Sequence, residues 1–121
     1  MKPLVTYVYD LDQRHNTYVA GSLFQHLGFS LDAMDVLSSN FFALLTHPAD
    51  RERIAAHHAA LGSQPNDAVV EIEYRVKAAS GEWRWLVSRD RPYNRDRDGR
   101  VTQILGVAEE IADRRSSDDG P

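Results

Sequence analysis

The segment 68–77 alternates between apolar and charged residues, and this alternation limits the folds open to the chain. Every second residue from Val70 to Val76 is apolar or aromatic, and the positions between Glu71 and Lys77 that alternate with them are charged. Successive residues of a strand point to opposite faces, so a period of two predicts a strand with one buried face. The rest of the chain must therefore pack onto that face.

Two further β-rich segments follow, each set off by turn residues. A Ser-Gly pair precedes the segment 83–88, and we expect Pro92 to end this strand because proline has no N–H to donate. An Asp-Gly pair, typical of a hairpin turn, leads into a third strand over 100–111. The arginines and aspartates of 89–100, Asp90 among them, predict a solvated turn and not a nucleic-acid surface.

The first half of the chain predicts a hairpin and several helices. Strands are expected over 4–9 and 17–20, short helical turns after Ser22 and Ser30, and the main helix over 48–61. Four bulky residues are expected to fill the space between helices and sheet: Phe41, Phe42, Leu44 and Leu45. The predicted fold class is α+β, with a five-stranded antiparallel sheet and with short helices and one longer helix packed on one face.

Composition excludes several classes of protein. A chain of 121 residues with a formal net charge of −4 predicts one domain with no general attraction to nucleic acid or an anionic membrane. The absence of cysteine excludes disulfides, thiolate nucleophiles and cysteine metal sites, and it agrees with a reducing cytoplasm. No apolar run is long enough to span a membrane, and no signal-peptide core precedes Leu4. We expect a cytoplasmic domain with no metal site and no membrane contact.

Residue patterns typical of catalysis are not recognisable. The sequence contains neither a nucleophile elbow nor a P-loop. We therefore predict that this domain is not an enzyme. A small ligand-binding enzyme of another α+β fold stays as an alternative, and it would need an acid–base cluster that the sequence does not show.

Seven short motifs occur in order along residues 4–115. They are Thr17-Tyr18-Val19-Ala20-Gly21-Ser22, Leu27-Gly28-Phe29-Ser30, His47-Pro48-Ala49-Asp50-Arg51, Ser80-Gly81-Glu82-Trp83-Arg84-Trp85, Asp98-Gly99-Arg100, Leu105-Gly106-Val107 and Glu110-Ile111-Ala112-Asp113-Arg114. The set resembles the Per-Arnt-Sim (PAS) sensory domain found in bacterial multi-domain sensors. Glu110 and Ala112 stand where that family usually has aspartate and threonine. The resemblance implies one PAS domain over 1–115, with 116–121 as a polar tail or the start of a linker to an output domain.

The resemblance also implies a function. We expect a sensory or regulatory domain of a signal-transduction protein, either a two-component histidine kinase or a cyclic-dinucleotide enzyme such as a diguanylate cyclase. The domain would act by sensing a small ligand, by dimerising, or by both. The alternative is a purely structural interaction or dimerisation module with a filled core and no ligand.

The resemblance places any ligand between the main helix and the inner face of the sheet. The predicted pocket residues are Phe42, Ile54, His57, His58, Tyr74, Leu86, Ser88 and Ile104. His57 and His58 fall at helical spacing from Ile54, so at least one imidazole should approach the interior. A hydrogen-bonded core histidine is the simpler role, and contact with haem is the alternative.

We expect no haem or flavin. The candidate haem ligands are His26, His57 and His58, and each has a simpler structural role. Light-sensing flavin photochemistry in this superfamily needs a cysteine in the short-helix region, so a chain without cysteine excludes it. Trp83 and Trp85 could stack on a flavin, but two tryptophans at a spacing of two share one face of a strand and more often pack there.

Apolar residues occupy both faces of the last two predicted strands. Because Leu86, Ile104 and Ala108 take the inner face, the outer face is left with Trp83, Trp85, Val87, Leu105 and Val107. An exposed patch of this kind is usually an interaction site. The segment before Leu4 is too short for a covering helix and the tail after Ile111 is polar, so we expect a homodimer through the outer sheet face.

Overall fold

The computed structural model describes residues 2–111 and shows a five-stranded antiparallel sheet with helices packed on one face. In chain order the elements are strand β1 Leu4–Asp10, strand β2 His15–Gly21, helix α1 Leu23–His26, helix α2 Leu31–Leu37, helix α3 Phe41–Leu45, helix α4 Arg51–Leu61, strand β3 Val70–Lys77, strand β4 Trp83–Arg95 and strand β5 Val101–Glu110. The predicted fold class is confirmed. The predicted tail, 116–121, lies outside the described residues.

The last strand along the chain lies at the centre of the sheet. The strand order is β2-β1-β5-β4-β3, and every neighbouring pair is antiparallel. Strand β5 therefore pairs with β1 on one side and with β4 on the other. This arrangement brings β1 next to the last hairpin.

The period-two pattern of the sequence matches the two faces of the sheet. Tyr74, Val76, Leu86 and Ile104 have no exposed surface, and they face the helices. The helices place bulky side chains in the same layer. The ring of Phe41, for example, packs edge-on against the ring of Tyr7, with 5.5 Å between the ring centroids. Burying one such side chain contributes about 1.5–3 kcal/mol, so this layer holds the helices on the sheet.

Strand β4 continues past Pro92 to Arg95, so the prediction that the proline ends this strand is wrong. Beyond Asp90 the strand pairs, among the residues that the structure describes, with β5 alone. A proline is tolerated there because one side of the strand needs no donor. The register with β5 shifts between Pro92 and Asn94, which is where the ladder accommodates the ring.

The main helix is divided into two parts. A 3-10 turn, Pro48–Asp50, comes first, and the α-helix α4 begins at Arg51. His47 caps the turn, because its Nδ1 accepts a hydrogen bond from the Ala49 N–H at 3.0 Å. The interpretation of His47 as local structure before the helix is confirmed.

The short helices differ from the sequence prediction in two details. Leu44 is 53% exposed, so the expectation that it fills the core is wrong. The other large residues of this one-turn helix, Phe41, Phe42 and Leu45, are buried, and Leu44 lies on its outward face. Ser30 caps α2 as predicted, accepting from the Ala33 N–H at 3.1 Å, but Ser22 makes no capping hydrogen bond through its side chain.

Candidate functional site

Three polar side chains form a hydrogen-bonded group beneath α4, which we call the buried polar centre: Tyr7, His57 and Asp90. Asp90 lies on the inner face of β4 and has no exposed surface. Its Oδ1 accepts from the Tyr7 hydroxyl, and its Oδ2 accepts from His57 Nε2 at 2.6 Å. A buried carboxylate without partners would destabilise the fold by several kcal/mol. The three side chains therefore fix β1, β4 and α4 relative to one another.

Gly106 on β5 makes the buried polar centre geometrically feasible. It pairs with Tyr7 on one side and with Asp90 on the other. A Cβ atom at Gly106 would overlap both the Asp90 carboxylate and the end of the Tyr7 ring. The missing side chain lets the hydroxyl and the carboxylate meet across the central strand.

Two of the buried tyrosines of the core, Tyr7 and Tyr74, act as hydrogen-bonded phenols. Burial raises the pKa of Tyr7 well above its usual value, and the negative charge of Asp90 raises it further. Burial also raises the pKa of Tyr74, whose hydroxyl forms a hydrogen bond of 2.6 Å with Ser88 Oγ. Both phenols stay protonated at neutral pH, and both are satisfied inside the chain.

Asp50 joins the start of α4 to β3. Its carboxylate accepts from the Arg75 N–H at 2.8 Å, from the Arg75 guanidinium at 2.8 and 3.0 Å and from Arg53 at 2.9 Å. Burial on its own would raise the pKa of Asp50, but the hydrogen bonds from Arg75 and Arg53 outweigh it and lower the value to about 2. Helix α4 is thus held at its first turn by Asp50 and at its middle by His57.

One face of α4 borders a cavity of about 860 Å³. The helix contributes Arg51, Ile54, Ala55, His58 and Ala59, which share one face by their spacing. The walls across from the helix include Tyr9 from β1, Phe42 from α3, Thr46 and Val101. The cavity thus lies between the main helix and the end of the sheet at which β1 finishes and β5 begins.

Two polar atoms at the cavity wall lack a hydrogen-bond partner among residues 2–111: Thr46 Oγ1 and His58 Nε2. Thr46 is only 2% exposed. The imidazole of His58 stacks on Tyr9 at 4.6 Å and meets Phe42 edge-on at 5.3 Å. Both atoms have almost no solvent-accessible surface, so a polar group of a bound molecule would reach them only if the side chains around them moved.

Burial sets the charge state of His58. It lowers the pKa of this imidazole to about 4, although the charge of Asp90 acts in the opposite direction. His58 is therefore neutral at pH 7. A neutral imidazole can donate or accept one hydrogen bond at Nε2, depending on its tautomer.

The predicted pocket residues separate into two groups. Three of them border the cavity: Phe42, Ile54 and His58. The other five lie in the core beside it, within the buried polar centre or under the helices: His57, Tyr74, Leu86, Ser88 and Ile104. Both imidazoles of α4 approach the interior, as the helical spacing predicted, and the ligand role of this region stays a prediction.

Sequence reasoning missed Asp90, Tyr7 and Thr46. The expectation that Asp90 belongs to a solvated turn is wrong, because β4 continues through it with the same period of two that buries Leu86 and Ser88. Counting that period two residues further would have placed Asp90 on the inner face. Thr46 gives no comparable signal, because it lies between α3 and the 3-10 turn.

His26 has a local role at the end of the central strand β5. Its Nε2 lies 2.8 Å from Glu110 Oε1 at the end of β5. This contact leaves it on the protein surface, and it does not border the cavity.

The predicted interface residues lie on the outer face of the sheet. Trp83 is 40% exposed, with the Lys77 ammonium 5.8 Å from its ring centroid. The Arg75 guanidinium lies 5.1 Å from the centre of the Trp85 ring. Cationic side chains of β3 thus already cover part of both indoles.

Val87 does not need a partner chain to be buried. It is 2% exposed, so the expectation that it is part of an exposed patch is wrong. The residues opposite it are Glu73 on β3 and Glu109 on β5, and their longer side chains flank it. The proposed interface itself stays a prediction.

An apolar groove of about 360 Å³ lies further along the outer face. Its walls include Val8 on β1, Tyr18 on β2, Tyr93 on β4 and Leu105 on β5. Tyr18 and Tyr93 are 55% and 53% exposed. The sequence prediction of the interface contained Leu105 but missed Tyr18, because it considered only the last strands, and Tyr93, because it ended β4 at Pro92.

Comparison with protein families identifies the fold. The model of the PAS fold family matches residues 16–108. This match covers most of the chain, so the chain belongs to the PAS fold family, as its motifs predicted. No curated protein matches the sequence.

Solved structures with the same fold come from distant organisms. A sensory box histidine kinase/response regulator from Burkholderia thailandensis superposes with a TM-score of 0.69 at 22% identity, over 96% of this chain and 82% of that chain. The N-terminal domain of a diguanylate cyclase with PAS/PAC sensor from Marinobacter aquaeolei gives 0.68 at 17% identity, over 90% and 95%. The PAS-B domain of Drosophila melanogaster Cycle, with bound ethylene glycol, gives 0.65 at 13% identity, over 88% and 99%. Within residues 2–111, the helices are too short or too polar to cross a bilayer.

The environment of His58 predicts a pH dependence of stability. The unfolded chain protonates this imidazole near pH 6.5 and the folded chain only near pH 4, so between these values the unfolded state binds more protons. The stability that neutral His58 contributes to the folded state is fully present above pH 6.5 and decreases as the pH falls towards 4. From pH 8 to pH 5 the wild type should lose about 2 kcal/mol of unfolding free energy through this group alone.

Urea unfolding of the wild type and of His58→Phe at both pH values measures this loss. The variant keeps an aromatic ring against Tyr9 and Phe42 but has no titrating group. We expect its stability to fall by about 2 kcal/mol less than that of the wild type. Equal losses in the two proteins would contradict the assignment of a buried neutral imidazole.

Proposed function

We propose that this chain is a sensory domain of a larger cytoplasmic signalling protein and that its cavity binds a small molecule. The domain itself carries out no catalysis in this proposal. Its output is a histidine kinase or a diguanylate cyclase, because similar folds occur in bacterial proteins of these two kinds. Membership of the PAS fold family supports the sensory role.

The cavity beside α4 is the observation that carries the proposal. Its volume of about 860 Å³ falls in the range of small-molecule sites, about 300–1,000 Å³. Such sites combine apolar walls with a few polar groups, and here Tyr9, Phe42 and Ile54 supply the first while Thr46 and His58 supply the second. Buried polar atoms without a partner are rare, so a molecule that enters the cavity and shifts the side chains around Thr46 and His58 would gain by satisfying them.

The contacts of α4 give a path by which occupancy could reach the sheet. A ligand in the cavity would touch α4 on the face that carries His58, whereas the neighbouring His57 binds Asp90 on β4. Asp50, just before α4, binds Arg75 on β3. A displacement of the helix would therefore act on both strands of the last hairpin.

Native mass spectrometry and an absorption spectrum of freshly purified protein test this function. We expect a non-covalently bound small molecule without the absorption bands of haem or flavin. Ala59→Trp should remove the added mass, because Ala59 borders the cavity and an indole there would occupy it. Ala60→Trp is the matched control, because Ala60 is exposed and does not border the cavity.

Two results would contradict the proposal. The first is an added mass that Ala59→Trp and Ala60→Trp retain equally, which would place the molecule elsewhere. The second is a wild type that carries no added mass and shows no thermal stabilisation by any compound of a metabolite library. That second result would favour the structural module with a filled core.

We also propose that the domain dimerises through the outer sheet face. The apolar groove and the two half-exposed tyrosines favour this second function, since together with Leu105 they leave an apolar band on that face. A second copy of the chain offers the same band, which is the self-complementary surface that a two-fold dimer requires. Dimerisation and ligand binding use opposite faces of the sheet, so the two functions are compatible.

Sedimentation of Leu105→Glu tests the dimer. A carboxylate in the middle of an apolar interface would lose its hydration, at a cost that pairing with Arg91 opposite it on β4 only partly offsets, so we expect the dimer to weaken at least tenfold, which corresponds to about 1.4 kcal/mol. Leu44→Glu is the control, because it introduces the same charge at an exposed leucine on the helical side. The proposal fails if the wild type sediments as a monomer at high concentration or if both variants behave alike.

A further inference from the structure

The cavity beside α4 has a strongly positive entrance. Three arginines border it, Arg14 from the β1–β2 turn, Arg51 from α4 and Arg100 from the β4–β5 turn, and none of the side chains that border it is acidic. The whole chain carries a formal net charge of −4, so this local excess of cations opposes the overall charge.

The three arginines are not equally available. Arg100 is neutralised by Asp12, 2.7 Å away, and by Asp96, 3.6 Å away. Arg51 binds only a neutral group, the carbonyl oxygen of Ala43 at 3.3 Å. Arg14 forms no ion pair with any residue between 2 and 111. Two guanidinium groups at the entrance thus lack a counter-charge from the described part of the chain.

Arg14 lies close to the apolar interior. Its positive charge acts on the phenol of Tyr9, where it opposes the larger effect of burial, which raises the pKa of that tyrosine. Tyr9 in turn stacks on His58 and meets Phe42 edge-on at 5.3 Å. One cation therefore stands at the boundary between an aromatic wall and solvent.

We infer that the cavity takes a small organic anion, a carboxylate with an apolar or aromatic body, whose carboxylate binds Arg14 and Arg51 at the entrance. The inference rests on the proposed ligand-binding function and names the class of ligand. The apolar body lies against Tyr9, Phe42 and Ile54. Guanidinium groups suit this role because they offer paired N–H donors to a carboxylate and lose little hydration when they do so.

The interior adds selectivity for the body of the ligand. His58 is uncharged at neutral pH, so it does not compete with the entrance for the carboxylate. It offers an aromatic face and one hydrogen bond at Nε2, and Thr46 offers a hydroxyl. A ligand with a polar substituent on its apolar body can satisfy one or both of these atoms once the side chains that cover them move.

A matched pair of probes tests the inference: sodium 3-phenylpropionate and 3-phenylpropan-1-ol, which share a carbon skeleton and differ in charge. Each is titrated into the ¹⁵N-labelled protein, and the amide shifts around α4 and Tyr9 report binding at the cavity. We expect the acid to bind at least tenfold more tightly than the alcohol. Sodium acetate, which has the charge without the body, should bind more weakly than the acid.

Three variants identify the cations. Arg14→Asn removes one charge with a residue that tolerates the left-handed backbone found at this position, φ 58°, and Arg51→Gln removes the other. Each should weaken 3-phenylpropionate roughly tenfold and leave 3-phenylpropan-1-ol unchanged. Arg91→Gln is the control, because Arg91 is an exposed residue of β4 that pairs with Leu105 on the outer face.

The outcomes separate the class of ligand from the existence of the site. If the alcohol binds at the cavity as tightly as the acid and the arginine variants change nothing, the anion inference is wrong while the ligand-binding function stands. If neither probe changes the amide chemical shifts around α4 and Tyr9, or if the changes lie elsewhere, the inference is wrong. The metabolite screen described above then tests whether the cavity binds any small molecule. Loss of acid binding in Arg91→Gln as well would show that only overall charge matters, which also contradicts the inference.

Discussion

A carboxylate without solvent contact has to be hydrogen-bonded from several sides, and this requirement at Asp90 governs the arrangement of the fold. Its partners, Tyr7 and His57, lie on β1 and α4. The Asp90 side chain therefore joins β4 to the first strand and to the main helix. Gly106 has to be a glycine for the same reason, because a side chain there would separate Tyr7 from Asp90. The order β2-β1-β5-β4-β3, with β5 between its neighbours, is what makes this contact across the central strand available.

The cavity follows from how α4 is held. Asp50 and His57 bind the helix to β3 and β4, so the adjacent face, with Arg51, Ile54 and His58, is turned towards the end of the sheet, where His58 stacks on Tyr9 and the cavity lies beside it. The space left there is lined by aromatic rings inside and by guanidinium groups at the entrance. A sensor of this design would convert occupancy beside α4 into strain on the last hairpin, whose outer face carries the proposed dimer contacts.

Much of this was accessible from the sequence. The period of two in 68–77 and the ordered motifs predicted the sheet, the helices and the PAS fold, and helical spacing predicted that the two histidines approach the interior. Three failures have physical causes. Pro92 does not end β4, because the strand has only β5 as a neighbour at that point. Asp90 was predicted to be solvated because arginines flank it in the sequence, although it is buried. The groove was missed because one of its walls, Tyr18, lies on a strand that is remote in the sequence. Pairing between distant strands cannot be read from local pattern alone.

A double-mutant cycle between Asp90→Ala and His57→Ala measures most directly whether the buried polar centre holds α4. If it does, the two changes in unfolding free energy should be non-additive by about 2 kcal/mol, because removing either partner already breaks the same buried hydrogen bond. The reference cycle pairs Asp90→Ala with His26→Ala, whose partner is Glu110, and should be additive within about 0.5 kcal/mol. Additive changes in the first cycle would contradict the account, because α4 and its cavity would then be positioned by apolar packing alone.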